Sequence, residues 1–207
     1  MTTRVSPVTV PEEGYGPKIV EEQAGWQVLQ SYEPADIADV WVCDLSHRPK
    51  AIALGPDIEK DGFPDVGKAR WNKTAWYARL NSNEGYYYDL LGGLHNLKLP
   101  ESSMDMTDAW ALLAIFGLQA SSLMGRLVSV DVDSHIKKEP IFLITKSHNA
   151  AVQIVNMKSE IPGYLISCER SFGQALYDFC FHGSSTLKMR PAGERDFLKW
   201  LKSSGWM

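Results

Sequence analysis

Between Val40 and Asp57 the chain reads VWVCDLSHRPKAIALGPD, and Cys43, Asp44, Ser46 and His47 fall within five positions of one another. A thiol or hydroxyl, an imidazole and a carboxylate are the parts of a nucleophile, base and orienting group. That chemistry needs the three within hydrogen-bond reach in space, which adjacency in sequence does not provide. In an extended segment side chains alternate faces, so Cys43 shares its face with Leu45 and His47 while Asp44 and Ser46 point the other way. The spacing therefore predicts a strand end at which Asp44 and Ser46 bond local backbone, not a triad with Cys43 as nucleophile.

A second candidate is Gly85-Tyr86-Tyr87-Tyr88-Asp89. Phenol rings at Tyr86 and Tyr88 could stack on a pterin or flavin, with Asp89 accepting a ring hydrogen bond or assisting proton transfer. Tyrosine is equally at home on a strand, where Tyr86 and Tyr88 on one face would pack against a neighbour with no ligand. Arg170, in Cys168-Glu-Arg-Ser171, sits where loops commonly carry function and could grip a carboxylate bidentately, either a glutamate tail or an acidic residue of a partner. A solvated ion pair is its alternative. Glu194 and Arg195 invite the same idea more weakly. Phe116-Gly117-Leu118 turns a strand into a helix, but no G-x-G-x-x-G or G-x-x-x-x-G-K-[ST] occurs, so Gly117 reads as structural rather than phosphate-binding.

Composition narrows the classes further. Hydrophobic residues make up 44% of the 207 positions and charged residues 22%, which is globular usage. The formal net charge of -4 and the lack of long Lys/Arg clusters argue against nucleic acid or an anionic membrane as the main partner. No apolar run approaches the roughly 18 residues of a membrane span, and the first residues lack the apolar centre of a secretory signal, so a cytoplasmic protein is expected. Three cysteines at wide spacing form neither a disulfide framework nor a thiolate zinc site, and the five histidines form no ligand motif, so no metal is expected.

The elements that must position these residues can be read from the punctuation. Residues 1–25, with Pro7, Pro11, Gly14, Gly16 and Pro17, read as an extended arm that could lie across a partner or stay a partly ordered tail, leaving 26–207 as a single domain. Strands are expected at 41–45, 50–54, 75–80 and 85–91, the last two joined by a hairpin at Asn81-Ser-Asn-Glu84. A strand over 108–116, a turn at Gly117 and a helix over 118–127 come next, then strands at 140–145, 150–157 and 163–168. Ser171-Phe-Gly-Gln174 matches a capping box, and Phe172, Ala175, Leu176, Phe179 and Cys180 form a helical apolar stripe that stops at Gly183. A last helix over 192–202 carries Phe197, Leu198, Trp200 and Leu201. The sum is an α+β fold with mostly antiparallel sheets and packed helices.

In this order the segments resemble the folate-binding domain of the glycine-cleavage T-protein (aminomethyltransferase) family. Asp44-Leu-Ser-His-Arg-Pro-Lys-Ala-Ile-Ala-Leu-Gly-Pro-Asp57 resembles the opening D-x-S-H segment with its strand and G-x-D turn. Ala111–Ala120 resembles the second repeat, with Leu118 in place of the usual Pro. Gly163–Tyr177 and Leu187-Lys-Met-Arg-Pro-Ala-Gly193 look like the closing strand, helix and A-G turn. The resemblance implies a domain of two related halves. Its compact form, with Glu-Arg-Ser-Phe before the helix, looks most like the sarcosine oxidase gamma subunit. The resemblance further implies a place in one-carbon metabolism, as a scaffold subunit of a multi-subunit demethylating oxidase whose flavin sits on flavoprotein partners. The seven tryptophans, Trp200 and Trp206 among them, could then serve an interface or the core. The alternative is a tetrahydrofolate-dependent aminomethyl- or methyltransferase. Of the family's G-x-x-D-D segment only the second Asp survives, as Asp89. Tyr86, Tyr88, Asp89 and Arg170 are the residues the resemblance offers for a tetrahydrofolate site, with Asp89 as the carboxylate of the transferase.

Overall fold

The computed structural model describes residues 4–11, 14–33, 38–56, 58–92, 102–133, 139–182 and 186–207. Asp57 of the G-P-D turn, Gly183 and the Lys137-Lys138 pair lie outside them. The strands are β1 (Lys18–Gln23), β2 (Trp26–Tyr32), β3 (Val40–Asp44), β4 (Lys50–Leu54), β5 (Ala69–Asn72), β6 (Ala75–Asn81), β7 (Glu84–Asp89), β8 (Ser103–Asp105), β9 (Trp110–Phe116), β10 (Ile141–Ser147), β11 (Ala150–Asn156), β12 (Gly163–Glu169) and β13 (Met189–Ala192). The helices are α1 (Ala120–Leu127), α2 (Gly173–His182) and α3 (Glu194–Ser203).

Two sheets organise the chain. One is six-stranded in the order β10-β11-β12-β9-β3-β13, antiparallel except where β13 runs parallel to β3. The other is a five-stranded antiparallel sheet, β5-β6-β7-β4-β8. The architecture is α+β and mostly antiparallel, as the sequence predicts. β9, the run WALLAIF, is buried along its whole length. A strand covered on both faces needs apolar side chains on both, hence a continuous run in place of alternation.

On one side of the six-stranded sheet, Val42, Leu113, Ile115, Ile154 and Ile166 pack against α1 and α2 through Leu123, Met124, Leu176 and Cys180. On the other, Cys43, Leu112, Phe116, Val155 and Leu165 meet Trp76, Tyr86 and Tyr88 of the five-stranded sheet together with Phe197, Trp200 and Leu201 of α3. Trp200 is therefore a core residue, and Trp206 packs edge-on against Trp76 with ring centroids 4.9 Å apart. Trp200 is not available to an interface, whereas Trp206 is only half-buried. The far face of the five-stranded sheet carries a small third cluster, with Tyr77 and Tyr87 against Phe63.

The boundary expected at residue 25 falls inside a hairpin. β1 and β2 pair antiparallel around Ala24 and Gly25, both at positive φ, the twist a two-residue hairpin turn requires. Ahead of it, residues 4–11 lie along the molecule: Arg4 N donates to Gly25 O, Thr9 N donates to Gln174 Oε1 at 2.6 Å, and Val8 is buried in the core. That contact also corrects the expected capping box. Gln174 binds Thr9 and donates to Asp178 Oδ1 at 2.8 Å, a 3₁₀ turn occupies 170–172, and α2 begins only at Gly173. The helix is rotated relative to the expected stripe: it buries Gly173, Leu176, Tyr177 and Cys180 and leaves Phe172 and Phe179 exposed. Among the described residues no helix is long and apolar enough to cross a membrane.

Candidate functional site

β3 ends at Asp44, and the turn after it is built by the side chains the sequence singles out. Asp44 Oδ1 accepts Ser46 N at 2.9 Å and its Oδ2 accepts Ser6 Oγ at 2.5 Å. Ser46 Oγ accepts Leu112 N at 3.1 Å, and Leu45 N donates to Leu112 O, so the turn is stitched to β9. From the start of β4, Lys50 reaches back and donates through Nζ to Ser46 O at 2.7 Å and Arg48 O at 2.8 Å.

The turn so fixed projects His47 and Arg48 onto Glu194, the first residue of α3. His47 Nε2 lies 2.7 Å from Glu194 Oε1, and Arg48 Nε donates to the same oxygen at 2.7 Å. Gln23 and Gln30 of the hairpin donate to Oε2 at 2.9 and 3.5 Å. Glu194 is only 2% exposed. Burial pushes its carboxyl upward, but His47, Arg48 and Gln23 outweigh that and hold it down at about 2. Its place in the first turn of α3 adds the favourable end of the helix dipole. The close approach of the segments requires Gly193, where a Cβ would lie 2.1 Å from the backbone of Gln30.

Chemically this is a clamp and not a relay. Both Glu194 oxygens are engaged by cationic or amide donors, and a carboxylate held at about 2 is a poor base near neutrality. Neither candidate nucleophile bonds to His47: Cys43 Sγ lies 3.8 Å from Asp44 O and Ser46 Oγ is bound to Leu112 N. Burial, then Asp44 and Glu194, push the Cys43 thiol well up. Lys50 is fully buried, and desolvation brings its ammonium down to about 7 despite Asp44, Asp105 and Asp108.

The structure does not bring Tyr86, Tyr88, Asp89 and Arg170 to one point. Tyr86 and Tyr88 face the core between the sheets. Tyr86 stacks on Trp110 at 5.6 Å and donates to Glu84 Oε1 at 2.6 Å, while the Tyr88 hydroxyl pairs with Ser167 Oγ at 3.1 Å. Asp89 lies opposite Ala75 on the other face of β7, is fully buried, and accepts the amides of Leu91 and Gly92 at 3.1 and 3.0 Å. It shapes the turn that leaves β7. Arg170 sits 5.8 Å over the Trp26 ring and donates to Val5 O, so the segment before β1 holds its guanidinium. These four residues do not form a cradle for a pterin. Glu194, which does organise the site, lies 147 residues from His47, and its one signal in the sequence is the Glu194-Arg195 pair after the A-G turn.

No protein-family model matches the chain, and no curated protein matches it by sequence. Solved structures do. The glycine cleavage system aminomethyltransferase T from Bartonella henselae superposes with a TM-score of 0.64 over 88% of this chain, at 14% identity. The fold is T-protein-like. A chain of the heterotetrameric sarcosine oxidase from Corynebacterium sp. U-96, solved with pyrrole 2-carboxylate, matches with a TM-score of 0.56 over 70% of this chain, at 13% identity. This chain spans 58% of the aminomethyltransferase and 84% of the sarcosine oxidase chain. Within the T-protein-like fold, the D-x-S-H segment forms the turn that grips Glu194. Among the described residues no group of three His, Cys, Asp or Glu is placed to hold a metal.

Proposed function

We propose that this chain is a scaffold subunit, comparable to a sarcosine oxidase gamma subunit, of a multi-subunit demethylating oxidase in one-carbon metabolism, and that it works in the cytoplasm. On this reading flavin and tetrahydrofolate are held by flavoprotein and other partner chains, and this chain supplies a rigid support beside them. The observation that carries it is the state of Asp89: a fully buried carboxylate that accepts two turn amides is placed to hold backbone and not to meet a substrate. The match spans 84% of a chain of a heterotetramer, against 58% of the aminomethyltransferase, and this supports the same reading.

A second reading is a stand-alone tetrahydrofolate-dependent aminomethyl- or methyltransferase, favoured by the higher TM-score to the aminomethyltransferase. Calorimetric titration of the isolated chain with tetrahydrofolate separates the two. The scaffold reading expects no binding by the chain alone and a stoichiometric complex when it is co-expressed with flavoprotein subunits. Micromolar binding that disappears in Asp89→Asn, with the variant's unfolding midpoint showing that it is folded, would overturn it in favour of the transferase.

A further inference from the structure

Of the edge strands of the two large sheets, β10 stands apart. In the five-stranded sheet the edges β5 and β8 run for four and three residues, and in the six-stranded sheet the edge β13 carries Pro191. Short strands and prolines keep an edge from pairing with another chain. β10, the other edge of the six-stranded sheet, reads IFLITKS over seven residues, with no proline and no acidic residue. Ile144 in its middle is 37% exposed, and Lys146 is exposed as well.

The outward backbone of β10 follows from two hydrogen bonds. Pro140 O accepts Ala69 N at 3.1 Å and Phe142 N donates to Gly67 O at 3.0 Å, both across the outer side. Bonding direction alternates along an antiparallel strand, so the even-numbered residues face outward while Ile141, Leu143, Thr145 and Ser147 bond β11. Beyond Phe142 the outer side is open, and the N–H and C=O groups of Ile144 and Lys146 have no outward partner among the described residues. A row of such groups is completed by another strand.

We infer that two copies of this chain pair antiparallel through β10 about a twofold axis at Thr145, which joins their six-stranded sheets into one. The spacing of the open groups selects both the occupant and the register. With the axis at Thr145, Ile144 lies opposite Lys146 of the second copy and Lys146 opposite its Ile144, so each open N–H meets an open C=O. An axis at Ile144 would set Lys146 against Phe142, whose N–H Gly67 already takes. An axis at Lys146 would bring two ammonium groups together, which is destabilising. About Thr145 the Lys146 stem lies along Ile144 with its ammonium in water, so the single charge on this edge does not oppose pairing. Thr145 meets Thr145, a favourable cross-strand pair. A patch that complements itself in this way is what a C2 dimer requires.

The contact is small, so the dimer is weak, with a dissociation constant on the order of 0.1–1 mM. Sedimentation equilibrium of the whole chain, from well below to above that range, should show a reversible monomer–dimer equilibrium. Ile144→Pro removes an outward N–H and leaves the bonds to β11 in place, so this variant should keep its unfolding midpoint and stay monomeric throughout. Thr145→Cys reads the register. Cα atoms across a non-hydrogen-bonded antiparallel pair lie about 4.5 Å apart, within disulfide reach, so mild oxidation should cross-link this variant about tenfold faster than Ile144→Cys or Lys146→Cys. The native thiols are buried and do not compete. A monomer at every concentration, a dimer that Ile144→Pro leaves intact, or cross-linking by Thr145→Cys no faster than by the other two would overturn the inference. A monomer that assembles with flavoprotein subunits, and loses that assembly in Ile144→Pro, would also overturn it by giving β10 to a partner's strand in place of a second copy.

Discussion

Replacing Glu194 with glutamine keeps the shape of the clamp and removes its charge. Holding a carboxyl at about 2, against an ordinary 4.5, contributes about 3 kcal/mol at neutral pH. An independent route gives a similar figure. His47, Arg48 and Glu194 side chains are 8%, 14% and 3% exposed, and removing one partner of so buried a pair costs about 3–5 kcal/mol because the remaining charge loses its compensation. The expected loss for Glu194→Gln at pH 7 is therefore about 3 kcal/mol, or roughly 6–12 °C in melting temperature for a chain of this size. The sign of the pH dependence is fixed by the direction of the shift. The folded carboxyl releases its proton more readily than the unfolded one, so the contribution is complete above 4.5 and is lost as pH falls toward 2. Urea unfolding of both proteins from pH 7 to pH 2.5 reads this directly, since every other carboxylate cancels in the difference. The gap should be widest at pH 7 and narrow steadily below 4.5. A gap under about 1 kcal/mol at neutral pH, or one that stays constant into acid, would refute the clamp.

Other expected outcomes come from the same geometry. Asp89→Ala should cost about 1–3 kcal/mol in urea unfolding, because two turn amides lose their acceptor, whereas Asp89→Asn, which keeps one acceptor oxygen, should cost less. Gly193→Ala should cost about 1–3 kcal/mol in thermal unfolding, because its Cβ would overlap the Gln30 backbone and push the hairpin off α3. Burial, the main cause, raises all three thiols, Cys168 and Cys180 to about 12, so Ellman's reagent should label none of them in the native protein at pH 8 and all three in guanidinium.

Most of the sheet was legible because its strands are punctuated and apolar. β3, β4, β6, β7 and β9 to β12 appear within a few residues of where the runs and turns put them. The misses share a cause: local signals were polar or broken for reasons that lie elsewhere in the chain. In β2, Trp26, Val28, Gln30 and Tyr32 alternate inward as a strand should, but the inward Gln30 looks out of place until Glu194 is known to need its amide. β13 contains Pro191, which argues against a strand, yet β13 is the edge of its sheet, where a missing donor is tolerated. Ser171 to Gln174 has the letters of a capping box, but Thr9, 165 residues away, takes the glutamine. The site was half legible. The turn bonds of Asp44 and Ser46 arise from local chemistry, whereas the meeting of His47 and Arg48 with Glu194 depends on how α3 docks, which no local pattern encodes.

Two buried ionisable groups that meet at this turn, Glu194 from α3 and Lys50 from β4, act on stability in opposite senses at neutral pH. Glu194 is stabilising at neutral pH because donors surround it. Lys50 is not: the unfolded chain keeps the lysine proton up to 10.5 while the folded chain gives it up at about 7, so between those values the unfolded state binds more protons and stability rises with pH. From pH 7 to pH 10 the wild type should gain up to about 4 kcal/mol relative to Lys50→Met, measured by urea unfolding at each pH. A difference that does not change over this range would refute the burial argument. What offsets this penalty is geometric. The Lys50 ammonium satisfies the carbonyls of Ser46 and Arg48, and those carbonyls flank the residue that must point at Glu194. Methionine would remove the buried charge but leave two turn carbonyls without their donor, so the variant should lose order at His47 and Arg48 even where its global stability is not reduced. Asp44, Ser46 and His47 thus group together because the turn that docks a helix and a hairpin is held from several sides at once.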